Sequence, residues 1–274
     1  MGVRDKVSYL ITGGAGSIGS NLIRFLRNFG GTQKIIAFDN NEYGLSCLPS
    51  DIELAVGDLR DKNRLEEVLN DIDIVVHAGA LKRIEMAEWN VKECIKTNVI
   101  GTMNLTEACQ KSQVKKLLLI SSDKAVPTDE FSLYGATKYL QEKIVLTANK
   151  GSTLCSIARF GNVMGTRGDV LEIWSEQIAA NKPLSITDPD MRRFFWSMES
   201  AIDFIADCLD RMEGGEIFVP KMTEYNIMEL KVQYFPNAET THIGIRPGET
   251  MSHKLMTPQE EAKAKEYDWG WTIK

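Results

Sequence analysis

A glycine-rich turn between the first strand-like and the first helix-like segment constrains the fold of this chain more than any other feature. The apolar run Val7–Thr12 is followed by GGAGSIG, in which Gly13, Gly16 and Gly19 have GxxGxxG spacing and Gly14, Gly16 and Gly19 have GxGxxG spacing. Glycine tolerates positive φ and close backbone approach, and a helix N-terminus offers amide groups to a pyrophosphate. The turn therefore predicts dinucleotide binding, with a tight turn that binds no ligand as the alternative.

An acidic residue after the second predicted strand supports this interpretation. Asp39 lies twenty residues after Gly19, a spacing that suits a carboxylate bonding the adenosine ribose. Asp39 is followed by Asn40 without a neighbouring arginine, which favours NAD as the cofactor and leaves NADP open. Asp58, after the third predicted strand, is expected to bond the adenine amine, to cap the next helix, or to do both.

Alternation of strand-like and helix-like segments predicts an α/β fold, a Rossmann-like doubly wound parallel sheet, over residues 1–165. The predicted strands are 7–12, 34–39, 52–56, 73–78, 115–121 and 154–160, and the predicted helices are 17–29, 61–69, 90–110 and 131–150. Residues 166–274 are expected to form a small C-terminal α/β substrate lobe, with strand segments that return to the sheet. Its predicted helices are 170–181 and 199–212, and its predicted strands are 184–187, 216–219 and 241–245.

Charge and composition exclude several classes of protein. The net charge of -6 argues against a general nucleic-acid or membrane-surface binder. No apolar run approaches the ~18 residues of a membrane span, and the first residues lack a signal-peptide core. The five cysteines are widely spaced without CxxC, and the three histidines are scattered, so we expect no metal site and a cytoplasmic protein with reduced thiols.

The segment YGATK carries the strongest catalytic signal. Tyr134 and Lys138 are four residues apart, about one helical turn, so both side chains share a helix face. A phenol ionises near ~10, and a nearby ammonium favours the tyrosinate. Ser122, Asp123 and Lys124 follow the preceding strand, where the last two provide an acid and a base. A solvated loop pair is the alternative for Asp123 and Lys124.

Together these motifs resemble the extended short-chain dehydrogenase/reductases over nearly the whole chain. Within them the chain is most similar to nucleotide-sugar 4,6-dehydratases of the capsular-polysaccharide and pseudaminic/legionaminic-acid branch. The matching strings, in chain order, are HAGALKRIEMAEWN, KTNVIGT, SSDKAVP, RFGNVMGTRG, ITDPDMRRFF, GGEIFVPKM and IRPGET.

The resemblance implies a role for each candidate catalytic residue. Tyr134 takes the O4 proton while a hydride leaves C4, and Lys138 supports the tyrosine. Lys124, as a free amine, removes the C5 proton, and Asp123 protonates the departing C6 hydroxyl. Ser122 orients the substrate or the tyrosine, or it only caps the backbone.

The resemblance also implies two sets of binding residues. Besides the glycines, Asp39, Asn40 and Asp58, the cofactor set comprises Ser17, Ile18, Leu59, Ala78, Ala80, Lys82, Asn98, Tyr134 and Lys138. The substrate set comprises Lys82, Asn162, Arg193, Arg246 and Glu249. The alternatives are a surface position for Lys82, a solvent-facing helix position for Asn98, and structural ion pairs for Arg193, Arg246 and Glu249.

The expected function is dehydration of UDP-N-acetylglucosamine to a 4-keto-6-deoxy sugar nucleotide, with uridine as the family-based default. A nucleotide-sugar epimerase and a catalytically silent NAD(P)-binding protein are the alternatives. Two departures from the family pattern affect the substrate pocket: an extension that contains Asp129 and Glu130, and a shortened region at 221–241. The helices at 90–110 and 131–150 are where relatives form a homodimer, although Met103, Leu105, Leu140 and Ile144 also suit an internal core.

Overall fold

The computed structural model describes residues 7–28, 31–128 and 131–274. Asp129 and Glu130, and the last residue of the helix predicted over 17–29, lie outside these ranges. Within them the strands are β1 (Val7–Thr12), β2 (Thr32–Asp39), β3 (Glu53–Val56), β4 (Ile74–His77), β5 (Lys116–Ser122), β6 (Leu154–Phe160), β7 (Asn162–Val163), β8 (Leu184–Ile186), β9 (Arg192–Trp196), β10 (Ile217–Pro220), β11 (Thr223–Asn226), β12 (Thr240–His242), β13 (Lys265–Tyr267) and β14 (Gly270–Ile273).

The α-helices in the same ranges are α1 (Ser17–Asn28), α2 (Glu42–Ser46), α3 (Lys62–Val68), α4 (Ile84–Trp89), α5 (Val91–Cys94), α6 (Gly101–Lys111), α7 (Leu133–Ala148), α8 (Val170–Ala179), α9 (Met198–Arg211), α10 (Ile227–Tyr234) and α11 (Pro258–Glu261). A π-helical turn, Ile95–Ile100, joins α5 to α6, and a 3-10 turn, Asp123–Ala125, follows β5. None of the described helices has the length and apolarity needed to cross a membrane.

A nine-stranded sheet in the order β13-β14-β10-β6-β5-β4-β1-β2-β3 forms the centre of the molecule. Pairing is parallel from β3 to β10, whereas β14 runs antiparallel to β10 and β13 runs antiparallel to β14. The strand order reverses between β1 and β4, and ligands of doubly wound sheets bind at such a reversal, beyond the carboxyl ends of the strands. The predicted Rossmann-like fold is therefore confirmed.

Strand β5 shows why its sequence is a continuous apolar run. Leu117 and Leu119 pack into one hydrophobic cluster with α6 and α7, while Leu118 and Ile120 pack into another with α1 and α9. Successive side chains of a strand point to opposite faces. Helices cover both faces of this sheet, so all positions of the strand except its first and last are buried.

Residues after Gly165 contribute both to a small lobe and to the central sheet. The lobe contains the sheet β11-β9-β7, the paired strands β12 and β8, and the helices α8 and α10. Its own core includes Trp174, Leu184, Ile186 and Leu230. The chain then returns to the central sheet through β10, β14 and β13.

The helix predicted over 90–110 is interrupted, which is the main departure from the sequence expectation in the first half of the chain. The π-helical turn breaks it after Cys94, and regular α-helix resumes at Gly101. A π-helical turn inserts one extra residue and rotates the following side chains, and such turns are frequent at functional sites. Here the turn contains Asn98, which is completely buried.

Candidate active site

The glycine turn lies at the carboxyl end of β1, beside the segment that follows β4. Gly13 has a φ of +68°, and a Cβ at this position would lie 2.7 Å from the backbone nitrogen of Gly79. A Cβ on Gly19 would lie 2.3 Å from the carbonyl oxygen of Gly13. A side chain at either position would collide with backbone, so the chain retains a cradle that suits a pyrophosphate.

Asp39 ties the end of β2 to this cradle. Its Oδ2 accepts a hydrogen bond from the backbone amide of Ala15 at 3.1 Å, and its Oδ1 accepts one from the amide of Asn41 at 2.9 Å. Each carboxylate oxygen can accept a further hydrogen bond. The position therefore suits recognition of a ribose hydroxyl, and the residues present fit a dinucleotide.

Asp58 does not cap the next helix. The N-cap of α3 is Asp61, whose side chain accepts from the amide of Arg64, so this alternative for Asp58 is wrong. The carboxylate of Asp58 instead pairs with Arg60, with 2.5 Å between Oδ2 and Nη2, and hydrogen-bonds with the side chain of Asn40. Asn40 and Asp58 thus form one polar group next to Asp39.

Asn98 holds the segment that follows β4. Its Oδ1 accepts from the backbone amide of Leu81 at 2.8 Å, and its Nδ2 donates to the carbonyl of Leu81 at 3.1 Å and to Thr137 Oγ1 at 2.9 Å. The solvent-facing alternative for Asn98 is wrong, because the side chain is completely buried. The segment that contains Ala78 and Ala80 is therefore supported from the π-helical turn.

Arg167, which sequence reasoning missed, contacts the glycine turn from the small-lobe side. Its backbone amide donates to Ser17 Oγ at 3.0 Å, and its guanidinium donates to the carbonyl of Ala15. The ammonium of Lys82 donates to the carbonyl of Arg167 at 3.0 Å. Arg167 lies within RFGNVMGTRG, one of the strings that carry the family resemblance, and this string is the signal that could have identified the loop.

The acid and base candidates meet at the carboxyl end of β5. Asp123 Oδ1 accepts from Ser122 Oγ at 2.8 Å and from Lys124 Nζ at 3.0 Å, and Lys124 Nζ also donates to Asn162 Oδ1 at 3.2 Å. Asp123 is 0% exposed, and its Oδ2 has no hydrogen-bond partner among the described residues. A solvated loop pair is therefore not what the structure contains.

Ser122 contacts both the backbone of the 3-10 turn and Tyr134. Its hydroxyl accepts from the backbone amide of Lys124 at 3.3 Å, which caps the 3-10 turn, and it forms a hydrogen bond with Tyr134. Tyr134, at the beginning of α7, is thus joined through Ser122 to Asp123. The side chains of Ser122, Asp123, Lys124 and Tyr134 form one cluster.

The electrostatics of the Tyr134 and Lys138 pair differ from the sequence expectation. Burial and then the charge of Asp123 raise the pKa of Tyr134, against a smaller opposing effect of the hydrogen bond with Ser122. Lys138 donates to the carbonyl of Ile120 at 2.8 Å, and burial lowers its pKa to about 8. Burial therefore favours the protonated form of Tyr134 when no ligand is bound, and the expected lowering of the Tyr134 pKa by Lys138 is not found.

The predicted substrate residues fall into two groups. Asn162 bonds Lys124 and donates to the carbonyl of Phe194 at 3.1 Å, which places it at the acid and base candidates. Arg193 is buried and donates to the backbone carbonyls of residues 192, 250 and 251, and it forms no ion pair with any residue that the structure describes. Arg246 does form an ion pair with Glu249, as one alternative expected.

His253 is a second residue that sequence reasoning missed. It lies between Glu249 and α11, and the charges of Lys124, Asp123 and Arg193 all act on its imidazole. The sequence contains no spacing that connects an isolated histidine to Asp123, since 130 residues separate them. Only the folding of the segment after the IRPGET motif brings the imidazole to this cluster.

A doubly wound sheet with a glycine cradle, a Tyr134/Lys138 helix and a small second lobe defines a Rossmann-fold protein of the short-chain dehydrogenase/reductase type. The chain belongs to the polysaccharide biosynthesis protein family, whose family model matches residues 9–274. The predicted family relationship is thus confirmed.

Two relatives illustrate the range of named activities. The chain is 38% identical to the UDP-N-acetylglucosamine 4,6-dehydratase (inverting) of Campylobacter jejuni subsp. jejuni serotype O:23/36, over 92% of this chain and 78% of that protein. It is 32% identical to the UDP-glucose 4-epimerase of Rickettsia bellii, over 96% of this chain and 81% of that protein.

Two solved structures have the same fold. Pen from Bacillus thuringiensis superimposes with a TM-score of 0.93 at 29% identity, over 98% of this chain and 88% of that chain. DesIV, a dTDP-glucose 4,6-dehydratase from Streptomyces venezuelae with NAD and TYD bound, superimposes with a TM-score of 0.83 at 21% identity, over 94% of this chain and 90% of that chain.

Proposed function

We propose that this protein is an NAD-dependent UDP-N-acetylglucosamine 4,6-dehydratase. The observation that carries the proposal is the ion pair of the buried Asp123 and the half-buried Lys124, which contacts Ser122 and Asn162 in the cluster that includes Tyr134. Epimerisation at C4 needs a proton acceptor and a hydride acceptor, whereas removal of water also needs an acid and a base for C6 and C5. The named dehydratase relative, which shares 38% identity, supports the same choice.

The cofactor proposal depends on the glycine turn and Asp39. Gly13, Gly16 and Gly19 would hold the pyrophosphate, and Asp39 would bond the adenosine ribose and disfavour a 2′-phosphate. The NAD bound to DesIV supports this choice over NADP. A bound nicotinamide supplies a hydride acceptor for C4, a hydride donor for C6 and a positive charge that opposes the burial cost of a tyrosinate.

In the proposed reaction, Tyr134 takes the proton of the C4 hydroxyl as C4 becomes a ketone. The ketone acidifies the C5 hydrogen, which Lys124 removes as a free amine. Asp123 gives a proton to the C6 hydroxyl, which leaves as water while the C5 electron pair forms the C5–C6 double bond. A hydride then enters at C6 and a proton returns to C5, which yields the 4-keto-6-deoxy sugar.

The ion pair of Asp123 and Lys124 can be converted into the acid and the base of these steps by transfer of one proton. With 3.0 Å between Lys124 Nζ and Asp123 Oδ1, transfer of a single proton converts the ammonium and carboxylate into a free amine and a carboxylic acid. These are the base and the acid of the proposed reaction. The transfer needs no net gain or loss of protons by the site.

We also propose that the small lobe binds the nucleotide, which assigns the substrate role to residues 166–274 and the cofactor role to residues 1–165. Asn162 lies where the two parts meet, because it bonds both Lys124 and the carbonyl of Phe194 in β9. The other proposed substrate residues are Lys82, Arg193, Arg246 and Glu249. Arg193 would act through the backbone that it holds, since its guanidinium is occupied by carbonyl groups.

A homodimer through the helices α4 to α7 is the proposed assembly. Trp89 is 69% exposed, Met103 is 41% exposed and Leu140 is 45% exposed, whereas Leu105 is completely buried. Exposed apolar side chains on neighbouring helices indicate an interaction surface.

Light scattering should report a dimer that Met103→Lys converts to a monomer, with Val232→Lys as the control at an exposed site in the small lobe. A wild-type monomer would contradict the proposal.

Mass spectrometry of the nucleotide sugar tests the function. The purified protein, supplied with NAD and UDP-N-acetylglucosamine, should produce a sugar nucleotide that has lost one water. Lys124→Ala should retain cofactor binding and abolish this loss, while Lys150→Ala, at an exposed lysine, should behave like the wild type. An unchanged mass with a new stereoisomer would identify an epimerase, and no reaction with UDP- or GDP-sugars would support a catalytically silent protein.

A further inference from the structure

Three positively charged side chains converge where the segment after β4 meets the loop between β7 and α8. The ammonium of Lys82 donates to the carbonyl of Arg167 at 3.0 Å, and a Cβ on Gly168 would lie 2.8 Å from Nη2 of Arg83. None of the three cations forms an ion pair with a carboxylate that the structure describes. Like charges repel one another at short range, so this group of cations indicates a site for an anionic ligand.

The two carboxylates beside this group hold the loop backbone instead of the cations. Asp169 Oδ2 accepts from the amide of Gly165 at 2.6 Å, and its Oδ1 accepts from the amide of Glu172 at 2.7 Å. The side chain of Glu172 accepts from the amide of Gly168. The acidic residues therefore fix the shape of the loop and leave the cations to a ligand.

The charges in this group act measurably on one another. Partial burial, and then the charges of Arg83 and Arg167, lower the pKa of Lys82. Asp169 and Glu172 raise it by less. A bound anion would relieve this repulsion, because an opposite charge nearby favours the protonated form of a lysine.

Among the three cations, Arg167 is the one that contacts the glycine turn. Its guanidinium Nη2 donates to the carbonyl of Ala15, and its backbone amide donates to Ser17 Oγ at 3.0 Å. The amide of the same Ala15 donates to Asp39 Oδ2 at 3.1 Å. Ala15 thus has a carboxylate on its amide and a guanidinium on its carbonyl, and Arg167 offsets the negative charge that Asp39 brings to the turn.

The guanidinium of Arg167 has donors to spare for a ligand. Of its five N–H donors, the structure describes only a bond from Nη2 to Ala15. Arginine presents its donors in a planar fork that matches pairs of phosphate oxygens. The side chain is exposed, and it lies beside Ser17, where α1 begins and offers its N-terminal amides to the same kind of group.

We propose that Arg167 binds the pyrophosphate of the dinucleotide, with Lys82 and Arg83 as supporting charges, and that this contact fastens the loop between β7 and α8 over the cofactor. Two linked phosphate groups are the chemistry that the cations require. A dinucleotide and a nucleotide sugar both contain them. The contacts of Arg167 with Ala15 and Ser17 favour the dinucleotide, because both residues belong to the glycine turn.

This inference deepens the proposed function and rests on it for the choice of NAD. The loop is the start of the small lobe, and Asn162, five residues before Arg167, bonds Lys124. Binding of the pyrophosphate would therefore hold in place the connection between the glycine turn and the acid and base candidates.

Calorimetry with NAD, ADP-ribose, adenosine and UDP tests the assignment without turnover. Arg167→Met should weaken binding of NAD and ADP-ribose by about tenfold to a hundredfold, as expected when a hydrogen bond to a charged group is lost. Adenosine has no phosphate and UDP carries the diphosphate of the nucleotide sugar, so both should bind as they do to the wild type. Arg24→Met, at an exposed arginine of α1, is the control.

Salt dependence and hydrogen exchange separate a phosphate contact from a purely structural one. The affinity for NAD should fall less steeply with rising NaCl in Arg167→Met than in the wild type, because a screened ionic contact has been removed. Arg167→Lys should recover part of the affinity, since it keeps the charge and loses the fork. NAD should slow exchange of the amides at 165–169 in the wild type but not in Arg167→Met.

Three results would overturn the assignment. Equal losses of affinity for NAD and adenosine in Arg167→Met would identify a distorted turn, and weaker UDP binding with unchanged NAD binding would assign the cations to the nucleotide sugar. Unchanged affinity for all four ligands would exclude any contact. A wild type that binds NAD through Arg167 and releases no water from UDP-N-acetylglucosamine would contradict the proposed function alone, whereas one that binds neither NAD nor ADP-ribose would contradict both.

Discussion

Burial determines the protonation behaviour of Tyr134 and Lys138 more than their direct partners do. Lys138 is 3% exposed and has the carbonyl of Ile120 as its hydrogen-bond partner, and its pKa falls to about 8. Tyr134 is also buried, and its pKa is raised. Without ligands, both side chains are thus shifted toward their uncharged forms, which is the direction expected when burial dominates.

The lowered pKa of Lys138 predicts a particular dependence of stability on pH. Below pH 8 both the folded and the unfolded chain bind the proton, so the cost of the buried ammonium is fully present. Between the folded value of about 8 and the unfolded value of 10.5, only the unfolded chain binds it, and stability rises with pH. The gain approaches ~3 kcal/mol at 1.36 kcal/mol per pKa unit.

Urea unfolding of the wild type and Lys138→Met at several pH values checks this prediction. The free energy of unfolding of the wild type, minus that of the variant, should increase from pH 7 to pH 10. Taking the difference removes the contributions of the buried cysteines and tyrosines, which are common to both proteins. A difference that is constant over this range would contradict the lowered pKa.

At the scale of single elements, the π-helical turn Ile95–Ile100 positions Asn98 to hold the segment after β4. Because the turn directs Asn98 inward, its carboxamide bonds both backbone groups of Leu81 and supports the segment after β4. Asn98→Leu should cost about 1–3 kcal/mol through the unpaired groups and weaken NAD binding measured by calorimetry. Asn70→Leu, which removes an exposed side-chain bond to Glu67, serves as the control. Equal losses of stability and of NAD affinity in the two variants would show that Asn98 does not support this segment.

Elements with an unambiguous local pattern were predictable from the sequence, and elements that depend on distant partners were not. The run at β6 was predicted with its observed bounds, Leu154–Phe160, because a buried parallel strand needs only apolar residues of the right length. The strand β9, with the sequence RRFFW, was missed. It contains the buried Arg193, and that burial depends on carbonyl groups of residues 250 and 251.

The same distinction applies to the candidate site. The positions of Tyr134, Lys138, Asp123 and Lys124 follow from one strand and one helix, so local spacing was sufficient to group them. His253 and Arg167 reach the site from the second half of the chain through loops, and no local periodicity reports such contacts. The solvent-facing alternative for Asn98 was wrong, because the side chain is buried. Its burial could not be predicted, because a π-helical turn has no clear sequence signal.

At the scale of the whole molecule, one buried ion network joins the catalytic helix to the last part of the chain. Arg159 in β6 pairs with Glu142 in α7 at 2.7 Å and with Glu260 in α11 at 2.9 Å. Ser121 Oγ donates to Glu142 at 2.6 Å, and Arg159 also holds the carbonyl of Leu255. The network therefore connects β5, β6, α7 and the segment that carries His253.

Removing Arg159 alone from this network should destabilise the fold more than removing Arg159 and Glu142 together. Arg159→Met leaves the carboxylate of Glu142 buried without a counter-charge, and breaking a buried pair in this way costs about 3–5 kcal/mol. Glu142→Leu combined with Arg159→Met should recover part of that loss, because no uncompensated charge remains between those two positions. Glu260→Gln should cost less than Arg159→Met, because the side chain of Glu260 is 21% exposed and water replaces part of the contact.

A double-mutant cycle of urea unfolding free energies checks this last prediction, with Arg211→Met as the control at an exposed arginine that pairs with Asp207. A positive coupling energy between positions 142 and 159 would show that the two charges stabilise the fold mainly through each other. Additive losses would mean that Arg159 acts chiefly through the carbonyl of Leu255. In that case Arg159→Met, but not Glu142→Leu, should also displace the segment of His253 and alter its imidazole NMR resonances.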